Sequence, residues 1–189
     1  MNDTSDYNPQ HAALWRDART LDDLGHLTAQ WLEGHIAYVP GYGTAAPDEE
    51  TALLVPVLAE ANRHGYVTDF SQPGLTYPDG DAQRAAIAGF CSEDLADRIA
   101  AAVLRTDLVA IITPPGCDNP TQIPVTTDDG EAHTWVGGGT DADGIDDLYG
   151  ADCPAAVEAL KAASYVEVFD PVWGREDLLW QRLKAVWAQ

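Results

Sequence analysis

The chain has 189 residues, and its 31 Asp and Glu against 10 Lys and Arg give a formal net charge of −21. This charge repels phosphate backbones and anionic lipids, so we expect neither direct nucleic-acid binding nor membrane association. No apolar stretch approaches the roughly 20 residues of a membrane-spanning helix, and the N-terminus lacks the pattern of a signal or transit peptide. Since 46% of the residues are hydrophobic, the chain should fold, and we expect a soluble cytoplasmic protein.

We predict a loose, disordered tail over residues 1–8 and a single globular domain over residues 9–189. Residues 9–46 would form a helical appendage and a loop, and residues 47–189 a mixed α/β core. Periodicity and capping residues predict helices over 11–18, 21–32, 48–64, 92–105, 153–163 and 173–187. Thr20 would cap the second of these helices and Ser92 the fourth. The third would be regular only from about Val55, because Pro56 follows it.

Short apolar or alternating segments predict strands over 66–70, 83–91, 108–112, 123–126, 133–136 and 165–169. The run 108–112 is fully apolar and β-branched, which is typical of a central buried strand. Asp-Gly at residues 129–130 predicts a hairpin between the fourth and fifth strands. The alternation of helices and strands indicates an α/β or α+β fold with a mixed sheet of about five or six strands.

Three cysteines, Cys91, Cys117 and Cys153, are too widely spaced for a disulfide framework or a zinc ribbon, so we expect free and mostly buried thiols. The motifs of P-loop, dinucleotide-binding, zincin and α/β-hydrolase proteins are absent, so no cofactor is expected. Residues 137–150 are rich in Asp and Gly, but their spacing does not fit an EF-hand. We interpret them as a solvated acidic loop without a metal site.

The segment from residue 62 to residue 84 combines a helix end, a strand and a sharp turn with several polar side chains. Polar groups at the end of a strand often bind ligands in α/β proteins. A ligand site would consist of Asn62, Thr68, Ser71, Gln72 and Arg84, and the guanidinium would favour a small polar or anionic ligand. The alternative is that these residues cap the helix and build the turn.

Motifs spread over residues 15–90 resemble an uncharacterised family of Streptomyces-type actinobacterial and actinophage proteins. They are P-G-Y at 40–42, W-L-E-G at 31–34, N-R-x-G-x-x-T at 62–68, S-Q-P-G at 71–74 and Q-R-A-A at 83–86. The resemblance implies that the five predicted ligand residues belong to one constellation. It brings no established reaction, and it leaves the acidic half after Asp107 outside the family pattern.

Two other functions remain open. Residues 106–160 contain 11 acids and no Lys or Arg, which is suited to binding a basic protein partner, for example as a nucleic-acid mimic in a phage or defence context. The acidic interaction surface would include Asp128, Asp129, Glu131, Asp141, Asp143, Asp146 and Asp147. A hydrolase or transferase is the third hypothesis, with Ser71 or Cys91 as nucleophile and His133, Asp69, Glu49 or Glu50 for acid–base work.

Overall fold

The computed structural model describes residues 8–188, which contain seven α-helices and eight β-strands. The helices are α1 (Pro9–Asp17), α2 (Leu21–Leu32), α3 (Val55–Arg63), α4 (Glu93–Val103), α5 (Ala142–Tyr149), α6 (Val157–Lys161) and α7 (Asp177–Trp187), and a 3₁₀ helix (Glu49–Leu53) precedes α3. The strands are β1 (Val67–Gln72), β2 (Leu75–Thr76), β3 (Ala82–Gln83), β4 (Ala86–Cys91), β5 (Val109–Thr113), β6 (Ile123–Asp128), β7 (Glu131–Val136) and β8 (Ser164–Phe169).

The predicted α+β class is confirmed, and the strands form two antiparallel sheets of four rather than one mixed sheet. Their orders are β1-β4-β8-β5 and β2-β3-β6-β7. Both β4 and β5 pair antiparallel with β8, so they run in the same direction without being neighbours. Helix α4 connects β4 to β5, and a helical connection of this kind usually joins two neighbouring parallel strands. Here β8, the last strand in the chain, lies between β4 and β5, so every pairing in the sheet is antiparallel.

Buried side chains cover both faces of the first sheet. One face packs against α3, α4 and α7 through residues such as Ile99, Val166 and Leu183. The other face packs against α1, α2, α5 and α6, with Trp15 and Phe90 in this second cluster. The N-terminal helices therefore contribute to the core instead of forming an appendage beside it.

Several local predictions agree with the structure. Helix α3 begins at Val55, Ser92 caps α4 through its hydroxyl, and Thr20 forms a capping box with Asp23 at α2. At the β6–β7 turn, Asp129 and Gly130 have φ of 51° and 77°, as a two-residue hairpin of this type requires.

Other local predictions were wrong. Residues 108–112 do not form a central strand, because β5 lies at the edge of its sheet and is only half-buried. The loop predicted over 137–150 contains α5, whose Ile145 and Tyr149 are buried. The predicted tail, residues 1–8, lies outside the described residues except for Asn8, which caps α1. None of the helices within residues 8–188 combines the length and the apolar character that crossing a membrane requires.

Candidate functional site

A cleft of about 390 Å³ lies between α2, the loop of residues 36–48 and the edge strand β1. Volumes of this size are typical of small-molecule sites. Five consecutive residues of β1, from Val67 to Ser71, line its floor, and the end of α5 closes one side with Leu148 and Tyr149. Because β1 is an edge strand, nothing in its own sheet separates it from this cleft.

Two tryptophan indoles hold the loop that covers the cleft. Trp15 donates from Nε1 to the carbonyl of Tyr38 at 2.8 Å, and Trp31 donates from Nε1 to the carbonyl of Ala45 at 3.0 Å. The Trp31 ring also lies 6.0 Å from that of Tyr42, with the two planes tilted by 32°. The cleft therefore has an aromatic wall that is anchored to the backbone, and Tyr42 is 57% exposed at its mouth.

Asp69 provides a carboxylate beside the cleft. The register of β1 against β4 shifts between Thr68 and Phe70, so Asp69 is the extra residue of a β-bulge, a feature that redirects a side chain. Its Oδ1 accepts from the hydroxyl of Tyr149 at 3.0 Å and its Oδ2 from that of Tyr165 at 2.8 Å. Burial, and then the charge of Asp69, raises the pKa of both phenols, so they stay protonated as donors.

The charges around the cleft are negative. Among the described residues that line it, Asp48 and Asp69 are acidic and none is Lys, Arg or His. Neither carboxylate takes part in a salt bridge within residues 8–188. Partial burial, followed by the charges of Asp69 and Asp48, raises the pKa of Tyr42 at the mouth of the cleft.

The five predicted ligand residues divide into two groups. Asn62 is fully buried and donates from Nδ2 to the carbonyl of Leu58 at 2.9 Å and to Thr68 Oγ1 at 2.8 Å, while its Oδ1 accepts from the Thr68 backbone at 3.1 Å. These contacts join the end of α3 to the start of β1. Thr68 and Ser71 line the cleft, and the Ser71 side chain makes no hydrogen bond among the described residues.

Gln72 and Arg84 lie at the junction of the two sheets. Gln72 donates from Nε2 to the carbonyls of Arg84 and Val125, at 2.8 and 2.9 Å, and its Oε1 accepts from the Thr126 hydroxyl at 2.9 Å. Arg84 donates from Nη1 to the carbonyl of Pro124 at 2.7 Å and stacks 4.1 Å over the Trp173 ring. Burial lowers the pKa of Arg84, and its guanidinium is not among the groups that line the cleft.

The S-Q-P-G turn that follows β1 belongs to this junction as well. A Cβ atom on Gly74 would meet the backbone carbonyl of Arg175, so a side chain cannot be accommodated there. Arg175 itself forms a bidentate pair with the fully buried Asp170, at 2.6 and 2.7 Å. The turn is thus packed against the segment that follows β8.

Ser71 and Asp69 line the same cleft, but among the described residues no hydrogen bond joins a proposed nucleophile to a proposed base. His133 is exposed on β7 and has neither Ser71 nor Cys91 as a hydrogen-bond partner. Burial raises the pKa of Cys91 to about 12 and, with the charge of Asp152, that of Cys153 to about 12. Both are protonated thiols at neutral pH, whereas Cys117 is exposed.

Two of the predicted acid–base carboxylates, Asp69 and Glu50, have hydrogen-bond partners other than the proposed nucleophiles. Asp69 is engaged by its two tyrosines. Glu50 accepts from Gln83 Nε2 at 3.2 Å, and Glu49 begins the 3₁₀ helix. Within residues 8–188, none of these carboxylates accepts a hydrogen bond from Ser71 or Cys91, the contact that would support the hydrolase and transferase hypothesis.

The seven acids of the predicted interaction surface are all exposed and lie on two elements. Asp128, Asp129 and Glu131 are at the tip of the β6–β7 hairpin, and Asp141, Asp143, Asp146 and Asp147 are at α5. Asp141 caps α5 by accepting from the backbone of Gly144 at 2.8 Å, and Asp146 pairs with Lys161 at 2.7 Å. Within residues 8–188 no group of three or more His, Cys, Asp or Glu could hold a metal ion.

Sequence reasoning missed most of the cleft. Tyr42 belongs to the P-G-Y motif and Trp31 to the W-L-E-G motif, but neither motif by itself indicates that the two rings line one cleft. The spacing of Ile145, Leu148 and Tyr149 is that of a helix face, and it could have identified α5 and the tyrosine that contacts Asp69.

The fold and the cleft together define an α+β protein with an aromatic, acidic cleft beside an edge strand. The chain belongs to a family described as Domain of unknown function (DUF6919), which matches residues 10–189. No curated protein matches the sequence. Because the family match extends to residue 189, the expectation that the acidic half lies outside the family pattern was wrong.

Proposed function

We propose that the protein binds a small molecule in the cleft between α2 and β1. The observation that carries the proposal is the cleft itself, about 390 Å³ in volume and lined by an anchored aromatic pair, Trp31 and Tyr42. Enclosed, largely apolar sites with a few convergent polar groups are the usual form of small-molecule sites. The Thr68 hydroxyl and the Ser71 side chain, which has no hydrogen-bond partner among residues 8–188, would then contact the ligand.

In this proposal the other three predicted ligand residues do not contact the ligand, and they hold β1 in position instead. Asn62 and Gln72 hold the two ends of the strand that forms the floor of the cleft. Arg84 serves the same junction by binding the Pro124 carbonyl. We therefore assign ligand contact to Thr68 and Ser71, and positioning of the strand to Asn62, Gln72 and Arg84.

Ligand-observed NMR with a library of neutral, cationic and anionic fragments tests the proposal. We expect fragments that bind the wild-type protein and lose at least about tenfold in affinity in Ser71→Phe, because the larger side chain occupies the floor of the cleft. Thr134→Phe, at a half-buried position of β7, is the matched control and should bind as the wild type does.

The melting temperature of each variant establishes that it is folded before binding is compared. A library that contains no ligand for the wild-type protein, or ligands that bind Ser71→Phe and the wild type equally well, would contradict the proposal.

Charge-driven binding of a basic protein is a second candidate. Support comes from the exposure of all seven acids at the hairpin tip and α5, of which Asp146 alone is paired with a lysine in the described part of the chain. A surface that carries charges of one sign accelerates association with a partner of the opposite charge, and salt weakens the attraction.

A pull-down at low and high salt tests this candidate. We expect a basic partner to be retained at about 0.05 M NaCl and released at about 1 M, where the screening length is only a few ångströms. The variant Asp143→Asn/Asp147→Asn should retain less of it, and retention that is independent of salt would contradict the candidate. For both candidate functions we propose a cytoplasmic location and an actinobacterial or phage source. Fractionation of cells that express the protein natively tests the location.

A further inference from the structure

We infer that the ligand of the cleft is a small organic cation, an ammonium group carried by an apolar or aromatic body. This inference rests on the proposed function and concerns the chemical class that the cleft would select. It reverses the anionic preference that Arg84 suggested in the sequence, because that guanidinium is bound to the Pro124 carbonyl and stacked on Trp173.

The first argument is the sign of the local charge. Asp48 and Asp69 are the charged groups among the described residues that line the cleft, and neither has a Lys, Arg or His partner at salt-bridge distance. An anion entering the cleft would meet two uncompensated carboxylates, and a cation would compensate them. The net charge of −21 attracts cations to the molecule in addition.

The second argument is the hydrogen bonding of Asp69. A carboxylate has about four acceptor positions, and the hydroxyls of Tyr149 and Tyr165 occupy two of them. The two phenols are neutral, so they orient the carboxylate without cancelling its charge. An ammonium group has three donors to offer to the remaining positions.

The third argument is the aromatic wall. Rings of Trp and Tyr attract cations over their faces, and the attraction grows when the cation is partly desolvated. Trp31 and Tyr42 stand as a tilted pair at the mouth, and Trp31 is held in place by its bond to the Ala45 carbonyl. Aliphatic neighbours such as Leu24 and Val39 complete the wall, so the body of the ligand would be apolar.

The test uses matched probes that differ in charge. Indole, phenyl and cyclohexyl bodies are each prepared with an ethylammonium chain, an ethyl group and a propionate chain, and their affinities are measured by ligand-observed NMR or calorimetry. We expect each ammonium probe to bind at least about tenfold more tightly than its neutral counterpart, and each propionate to bind more weakly than both.

Variants then assign the effect to the cleft. Asp69→Asn should abolish the advantage of the ammonium probes, and Asp48→Asn, which removes an exposed carboxylate without a side-chain hydrogen bond, should reduce it. Asp128→Asn removes one negative charge at the hairpin tip and should leave the advantage unchanged. If Asp69→Asn does not fold, Asp48→Asn still decides, because an advantage that it does not reduce would contradict the inference.

The outcomes separate the two proposals. Probes that bind in a Ser71-dependent manner but without regard to charge would overturn the cation inference and leave small-molecule binding intact. The inference is also overturned if Asp128→Asn lowers the affinity as much as the cleft variants do, or if no probe binds. A fragment library without any Ser71-dependent ligand would overturn the proposed function itself.

Discussion

Two buried amides, Asn62 and Gln72, hold the opposite ends of β1. Each makes three hydrogen bonds, and each joins segments that belong to different elements. A buried amide that loses these partners leaves donors and acceptors unsatisfied, which is more costly than the bonds themselves are stabilising. The strand that forms the floor of the cleft therefore depends on two side chains that do not contact the ligand in our proposal.

Replacement of Gln72 should destabilise the protein. In Gln72→Ala the carbonyl of Val125 and the hydroxyl of Thr126 lose a partner, and we expect the free energy of unfolding to fall by about 2–3 kcal/mol. Urea denaturation measures it, with Gln122→Ala, an exposed glutamine, as the control. Equal denaturation midpoints for the two variants would show that Gln72 has no structural role.

Glu167 is a buried acid on the central strand β8. It is 4% exposed, its Oε1 accepts from the backbone of Gly137 at 2.7 Å, and its Oε2 has no partner among the described residues. Burial raises its pKa despite the hydrogen bond from Gly137. Between the pKa of Glu167 in the unfolded chain and its higher pKa in the folded protein, the folded state keeps a proton that the unfolded state has already released. The contribution of Glu167 to the free energy of unfolding therefore falls as the pH rises through this range.

The substitution Glu167→Gln should therefore become more favourable with pH. We expect the difference in unfolding free energy, variant minus wild type, to increase between about pH 4 and about pH 7, because only the wild type has a proton to lose. Chemical denaturation at both values measures it. Glu158→Gln, at an exposed position of α6, should show no such trend, and the same flat response in Glu167→Gln would refute the expectation.

At the scale of elements, the close approach of α2 and α3 positions the cleft. A Cβ atom on Gly25 of α2 would meet the backbone carbonyl of Asn62 in α3. Glycine is unfavourable inside a helix by about 1 kcal/mol relative to alanine, so its presence here is explained by packing. The same two helices contribute Thr28, Trp31 and Leu58 to the cleft.

Gly25→Ala should accordingly destabilise the protein in spite of the better helix propensity of alanine. We expect a loss of about 1–3 kcal/mol, because the helices must move apart or the backbone must shift. Thermal or urea unfolding measures the loss, and Gly138→Ala serves as the control since a Cβ there meets no atom within 4 Å. A Gly25→Ala variant as stable as the wild type would mean that the helices separate without cost.

At the scale of the whole molecule, negative charge is concentrated on exposed positions of the hairpin tip and of α5. Among the described residues, Asp146 alone of these acids forms a salt bridge with a cationic side chain, that of Lys161. Repulsion among like charges opposes the folded state, and dissolved salt screens it.

Salt should consequently stabilise the protein. We expect the melting temperature to rise between about 0.01 M and about 0.5 M NaCl. The neutralised hairpin tip, Asp128→Asn/Asp129→Asn/Glu131→Gln, should melt higher than the wild type at low salt and approach it at high salt. A melting temperature that falls with NaCl, or a variant whose advantage persists at high salt, would argue against repulsion as the cause.

What the sequence determined by itself is largely local. Capping at Thr20 and Ser92, the start of α3 at Val55 and the Asp-Gly hairpin depend on contacts between residues a few positions apart, and such contacts can be recognised in a short segment. The sequence also identified the polar residues near β1, but it did not determine whether their side chains contact a ligand or the backbone.

The tertiary structure decided the rest, because the free energy of pairing depends on groups distant in the chain. It placed β8 between β4 and β5, moved the apolar strand β5 to the edge, and directed Gln72 to a carbonyl 53 residues away. The bond between Asp69 and Tyr165 spans 96 residues. The contact with Tyr165 orients the carboxylate of Asp69 beside the cleft, and no short segment of the sequence contains both residues.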